Sequence, residues 1–174
     1  DQYFHFILLA KDKIGHKQIR EISTRAWRRS YMARNMRRVP TYYQDIIDII
    51  GTNPGHVIGS TACLGGQLPT KILSFYKTKD PNEQVYIYAW CNRMKEIFGE
   101  GNFYLEMQPS SNCDQKIVNS FLCELSKELN IPYIITTDSH YLKKEDANIH
   151  EAYLNSQDGD REVKSFYAST YMMS

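Results

Sequence analysis

Four times along this chain a short, nearly continuous apolar run gives way to a stretch whose apolar residues recur at helical spacing. That alternation constrains the fold more than any other feature. The runs are residues 4–10 (F-H-F-I-L-L-A), 56–63 (H-V-I-G-S-T-A-C), 102–108 (N-F-Y-L-E-M-Q) and 131–138 (I-P-Y-I-I-T-T-D). Short apolar runs bounded by turn residues read as buried strands of a parallel sheet. The intervening stretches predict helices. The first covers residues 16–31, with Ile19, Ile22, Ala26 and Trp27 facing inward. The next starts at Thr41 as N-cap and stops at Gly51, with a stripe of Tyr43, Ile46, Ile47 and Ile50. A short helix over 68–76 precedes a longer one opened by Asp80 as cap and Pro81 at the first position. Its core face is expected at Val85, Tyr88, Ala89, Met94 and Phe98. Asp114 is expected to cap a helix carrying Ile117, Val118, Phe121, Leu122, Leu125 and Leu129, and residues 144–157 form a last one. Residues 31–40 show no apolar period and read as a loop, and a short strand is expected over 165–168. Strand and helix in alternation indicate an α/β fold with a parallel sheet or barrel. The chain's 174 residues suffice for one domain with its own core.

Composition excludes more than it proposes. The net charge is +1, so the whole molecule is not an obvious polyanion binder. There is no apolar run of about 18 residues, and no membrane span is expected. Cys63, Cys91, Cys113 and Cys123 show no C-x-x-C spacing and read as reduced, cytoplasmic thiols rather than a disulfide frame or zinc ribbon. The N-terminus lacks the features of a signal peptide. Strand-like residues begin by Phe4, as in a piece of something longer.

In α/β folds the loops after the strands gather at one end and carry the chemistry. Near the strand ends stand His5, Cys63, Glu106, and the pair Asp138 and His140. Strand side chains alternate faces, so an i, i+2 carboxylate and imidazole point the same way if the strand extends that far. Histidine, cysteine and carboxylate are ligand types for borderline divalent ions such as zinc, manganese or iron. Each residue also has a structural alternative. Asp138 could cap a turn, His140 decorate a loop, Cys63 serve as a small buried hydrophobe, and Glu106 form a salt bridge or cap a helix. His5 lies near the start of its strand, where simple geometry would not place it in the site.

Between Lys11 and Arg38 ten Lys or Arg stand against Asp12 and Glu21. Arg28, Arg29, Arg34, Arg37 and Arg38 form a candidate, weak nucleic-acid-binding set, since such clusters contact phosphates, and Trp27, Tyr31 and Tyr42 could stack on bases. The alternative is a solvated helix face, with the aromatics taken up by the core.

Four blocks taken together carry a resemblance: H-F-I-L-L-A-K-D-K-I-G-H-K-Q-I, S-T-A-C-L-G-G, N-F-Y-L-E-M-Q, and I-P-Y-I-I-T-T-D-S-H-Y-L-K-K-E-D-A-x-x-H-E. In this order and spacing they resemble the later part of the polymerase and histidinol phosphatase (PHP) domain of bacterial DNA polymerase III α subunits. The resemblance implies part of a distorted, seven-stranded, TIM-like β/α barrel, with about four βα units in this chain. It also implies a di- or trinuclear metal cluster in the barrel mouth, for which His5, Cys63, Asp138 and His140 match family ligands. Glu106 matches a typical acid of its block that is not one of the ligands, and could orient a ligand from behind it. Thr137 and Gln67 depart from the family's usual asparagine and acid, without removing a ligand. The family's His-x-His strand and the aspartate, histidine and glutamate after it would lie upstream of residue 1, and the polymerase palm downstream of residue 174. Two roles are implied for such domains: metal-dependent phosphoester hydrolysis, including 3′-5′ exonuclease proofreading, or a platform for a separate proofreading exonuclease subunit. The parent would be a magnesium-dependent, DNA-directed DNA polymerase in the cytoplasm. Its partners would be DNA and other replicase subunits such as the sliding clamp. A non-catalytic interaction module and a free-standing PHP phosphatase are the alternatives.

Overall fold

The computed structural model describes residues 3–33, 35–158 and 170–172. Arg34 and the strand expected over 165–168 lie outside the described residues. The elements run β1 (Ile7–Ala10), α1 (Lys13–Arg28), β2 (Tyr31–Ala33), β3 (Met36–Arg38), α2 (Tyr43–Ile49), β4 (Val57–Ser60), α3 (Gln67–Thr78), α4 (Pro81–Phe98), β5 (Phe103–Met107), α5 (Cys113–Leu129) and β6 (Tyr133–Ile135). A short 3-10 turn (Lys144–Asp146) leads into α6 (Ala147–Asp158).

The main sheet has the order β1-β4-β5-β6, and β2 and β3 form a separate hairpin. The fold is α/β, with about four βα units and a parallel-rich open sheet, as expected for part of a β/α barrel. β4, β5 and β6 are parallel. β1 departs from the expected direction and runs antiparallel to β4, with Ile7 beside Ser60 and Ala10 beside Val57. Two helices and a hairpin join these strands instead of the single crossover helix that keeps neighbours parallel, so their directions are not tied. The antiparallel pairing brings the start of β1 to the end of β4.

Alternation along the strands separates two faces. One presents Phe6, Leu8, Val57, Phe103, Leu105 and Met107 to the helices, and these join one core with Ile22, Ile46, Leu68, Ile72, Ile87, Val118 and Leu122. Phe98 and Phe103 stack at 5.9 Å with an 18° interplanar angle over β4. Gly59 permits this approach, since a Cβ there would stand 2.6 Å from the Phe98 ring. The opposite face carries Ile7, Ser60, Tyr104, Glu106 and Ile134 by cross-strand register.

Several expected details are corrected. Residues 31–40 contain the β2–β3 hairpin, whose turn includes Asn35 at φ 62. Its side chains are largely exposed, so burial imposed no apolar period on them. Trp27 is not in the core but 57% exposed; Ile22 and Ala26 face inward. On α4 the buried stripe is Ile87, Trp90, Cys91, Met94, Ile97 and Phe98, whereas Val85 and Ala89 face solvent. The first six residues of that helix are exposed or half-buried, so a stripe begun at Val85 is rotated off the core. Asn112, not Asp114, caps α5: its side chain accepts from the N–H groups of Asp114 at 2.8 Å and Gln115 at 3.4 Å. Tyr42, not Thr41, takes the N-cap place of α2, and its N–H donates to Asp45. The Asp80–Pro81 start of α4 stands as expected. β6 is exposed, with Ile135 at 70%, and among the described residues it pairs only with β5.

Candidate metal centre

The sequence between β4 and α3 builds the first half of the site. After Ser60 the chain turns through Ala62 at φ 58, and the Gly66 N–H donates to the Cys63 carbonyl at 2.8 Å. Gly66 is required here, because a Cβ would fall 2.3 Å from the Thr61 carbonyl oxygen. The start of β1 is fastened to this turn by the His5 N–H donating to the Gly65 carbonyl at 3.0 Å. The His5 Nδ1 then lies 3.2 Å from the Cys63 Sγ. The sequence alone put His5 at the wrong end of its strand. The reversed direction of β1 resolves this.

Two ligands on one zinc ion, with bonds of about 2.1 Å to nitrogen and 2.3 Å to sulfur, stand about 3.6 Å apart at a tetrahedral angle. The His5–Cys63 separation is close to that value. Cys63 is half-buried, and burial pushes its thiol up from the ordinary value. The Gly65 N–H opposes this, while the carboxylates of Asp138 and Glu106 add to it. A bound cation would reverse the balance by favouring the thiolate. The sulfur thus sits among groups that disfavour its own charge and would welcome a positive one.

Glu106 is 3% exposed and acts as a node between strand ends. Ser60 Oγ donates to one of its carboxylate oxygens. Thr136 Oγ1 donates to the other at 2.6 Å, and Gln108 Nε2 approaches the same oxygen at 3.4 Å. The Glu106 N–H donates to Thr61 Oγ1 at 2.9 Å. This single residue ties the end of β4 to the segment after β6. It neither caps a helix nor makes an ion pair among the described residues.

Asp138 and His140 are not an alternating strand pair. β6 ends at Ile135, and Asp138 lies in the left-handed region at φ 46. The ring of His140 folds back so that Nδ1 lies 2.6 Å from the Asp138 carbonyl oxygen. A carbonyl only accepts, so Nδ1 carries the proton in this contact. Metal-binding histidines are commonly oriented this way. The His140 N–H donates to the Thr170 carbonyl at 2.7 Å. His150, whose role was not read from the sequence, places its ring 6.0 Å from that of His140. Burial, with His140 adding to it, holds His150 below the ordinary imidazole range. Its only sequence signal was its place in the A-x-x-H-E end of the fourth block. Ser60, Thr61 and Thr136 gave no comparable signal.

The structure thus joins His5 to Cys63, and places Asp138 and Glu106 within electrostatic reach of the thiol. Among the described residues no group of three or more His, Cys, Asp or Glu is close enough to hold one ion. The donor types and the His5–Cys63 spacing suit a borderline divalent cation, but the described residues alone do not complete its coordination.

The basic segment is only partly available. Arg29 is committed to Asp45 through two bonds of 2.5 and 2.7 Å. Arg37 donates to Ser30 Oγ at 3.0 Å, and Arg38 lies over the Tyr3 ring. Arg28 is exposed. No described helix is long and apolar enough to cross a membrane.

Comparison with known proteins bears on this arrangement. Residues 1–110 match the family described as PHP domain. Over 97% of its length the chain is 38% identical to the probable DNA polymerase YorL of Bacillus subtilis, and covers 13% of that protein. Identity and coverage are the same for a DNA-directed DNA polymerase of Bacillus phage SPbeta. The DNA polymerase III subunit alpha of Aquifex aeolicus is 33% identical over 86% of the chain, which covers 12% of it. The chain thus spans about an eighth of the length of these relatives.

Proposed function

This chain belongs to the PHP domain family, and on that premise we propose that it supplies part of a divalent-metal centre for phosphoester hydrolysis within a replicative DNA polymerase of the DNA polymerase III α type. The observation that carries the reading is the His5–Cys63 contact, which joins two metal-ligand types from the segment before β1 and the turn after β4. His5, Cys63, Asp138 and His140 would hold zinc, manganese or iron. When bound, such ions lower the pKa of water and neutralise phosphate charge.

The chain's own residues do the positioning. The Asp138 carbonyl orients the His140 ring. Glu106 fixes the ends of β4 and β6 relative to each other by accepting from Ser60 and Thr136. The Gly66 turn presents the Cys63 sulfur to His5. Hydrolysis of 3′-terminal nucleotides, a 3′-5′ exonuclease activity, is the reaction this reading favours. For the whole protein it implies magnesium-dependent DNA synthesis in the cytoplasm, with DNA, the sliding clamp and a proofreading exonuclease subunit as partners. The remaining ligands of the centre would come from outside these residues.

Metal analysis tests the reading. After equilibrium dialysis against zinc or manganese, the chain should retain bound metal, and Cys63→Ser and His5→Ala should each lower the amount retained. A chain that emerges metal-free, or variants that retain as much as the parent, would overturn it.

A further inference from the structure

β6 ends at Ile135, and His140 stands on the exposed loop that follows. Thr136 is still tied to β5, its N–H donating to the Met107 carbonyl at 3.1 Å. Beyond it, two polar contacts lie inside the loop. The hydroxyls of Thr137 and Ser139 stand 2.7 Å apart, and His140 Nδ1 meets the Asp138 carbonyl. These shape the loop but do not fix it against the sheet.

Residues 170–172 supply that fixation. The Thr170 carbonyl accepts from the N–H groups of His140 at 2.7 Å and Tyr141 at 3.4 Å, and the Met172 N–H donates to the Tyr141 carbonyl at 3.2 Å. Tyr141 and Tyr171 form a parallel bridge. Ring packing reinforces it: the Tyr141 ring lies 6.3 Å from that of Tyr171 and 5.2 Å from that of His150 on α6. Thr170 is buried, and it lines a small hollow with Leu64, Gln108, Thr137 and Asp138. Leu64 follows Cys63 after β4, Gln108 follows β5, and Thr137 and Asp138 follow β6. The segment therefore reaches the three strand ends near which Cys63, Glu106 and Asp138 stand.

We propose that residues 170–172 form a strap that positions His140 for the metal centre, so that seating of the strap and metal binding favour each other. The inference rests on the reading of His140 as a ligand. A loop that must be ordered as the ion binds loses conformational freedom at that moment, which lowers affinity. A strap that orders the loop beforehand removes this cost. Linkage is reciprocal, so a bound ion in turn holds the strap. Tyr171 and Met172 act through His140 and are positioning residues, not ligands.

Met172→Pro isolates the strap's own hydrogen bond. Proline lacks the N–H that the Tyr141 carbonyl accepts, and it favours an extended residue before it, which suits the bridge at Tyr171. The Met172 side chain is exposed, so Met172→Ala, which keeps the N–H, is the control. Cobalt(II) titration of the whole chain reads affinity from the thiolate band of Cys63. Met172→Pro and Tyr171→Ala should each weaken binding about 5-fold with the band at saturation unchanged, and Met172→Ala should match the parent. Amide hydrogen exchange followed by nuclear magnetic resonance gives a second reading. In the metal-free chain the His140 N–H should exchange about 5-fold faster in Met172→Pro, and zinc should slow exchange of the Met172 N–H in the parent. Circular dichroism of each variant confirms folding. A parent that binds no cobalt would overturn the metal reading and this inference with it. A parent that binds cobalt, with Met172→Pro and Tyr171→Ala binding equally well, would overturn this inference alone. So would zinc binding that leaves exchange at Met172 unchanged.

Discussion

Replacing Glu106 with alanine tests whether the strand ends are held by one buried carboxylate. The substitution removes the acceptor for Ser60 Oγ and Thr136 Oγ1, plus a longer contact to Gln108. Hydrogen bonds to a charged group contribute about 1.5–3 kcal/mol each, and a 3.4 Å contact adds little. Ser60 is itself buried, so its hydroxyl would be left without an acceptor. Opposing this is the desolvation of the carboxylate, which amounts to several kcal/mol and is relieved in the variant. The balance is a net loss of about 2–4 kcal/mol. For a domain of this size each kcal/mol lowers Tm by about 2–4 °C, so the melting point should fall by roughly 5–15 °C. Glu106→Gln keeps the shape and one acceptor oxygen and should cost about 1 kcal/mol. Because it loosens the frame around Cys63, it should also weaken zinc binding about tenfold. Urea unfolding followed by far-ultraviolet circular dichroism measures the first effect and zinc titration the second. Glu106→Leu more stable than the parent, with unchanged metal affinity, would refute the reasoning: desolvation would then outweigh the hydrogen bonds.

Other predictions follow from local geometry. Gly59→Ala should cost about 1–3 kcal/mol by overpacking against Phe98, and Phe98→Leu in the same chain should recover part of that loss in a double-mutant cycle. Asn112→Ala should cost about 1 kcal/mol in urea unfolding and Asp114→Ala distinctly less, since Asn112 makes the cap. Arg29 holds the Asp45 carboxyl below its ordinary value, against opposition from burial. A depressed folded-state value contributes stability that is complete above about pH 4 and is lost as pH falls through that lower value. Stability measured from neutral to acid pH should therefore decline more steeply below about pH 4 for the parent than for Asp45→Asn.

The main layers of the fold were legible because burial dictates them. Apolar runs at residues 4–10, 56–63, 102–108 and 131–138 each contain a strand of the sheet, and the Asp80–Pro81 start of α4 follows from local backbone chemistry. Strand direction was not legible, because an apolar run looks the same either way along the chain. The clue to β1 was the long connection to β4, with two helices in it. The hairpin was missed because its exposed residues carry no burial pattern, and the position of Asn35 is set by turn geometry rather than hydrophobicity. Exposed aromatics misled for a related reason. Trp27 fits the apolar stripe of α1 by spacing, yet it lies outside the core. For the site, His5 and Cys63 were identified by residue type, but their contact depends on the reversal of β1. The i, i+2 argument for Asp138 and His140 failed because the strand ends before them. What orients His140 is a backbone carbonyl, which residue types do not reveal.

The central claim is that His5 and Cys63 are two ligands of one metal ion. Cobalt(II) titrated into the chain reports this directly, since a cobalt–thiolate bond gives a near-ultraviolet charge-transfer band. The account predicts a band that saturates in the parent, is absent from Cys63→Ser and is weakened in His5→Ala. A band that persists in Cys63→Ser, or no band in the parent, would contradict it.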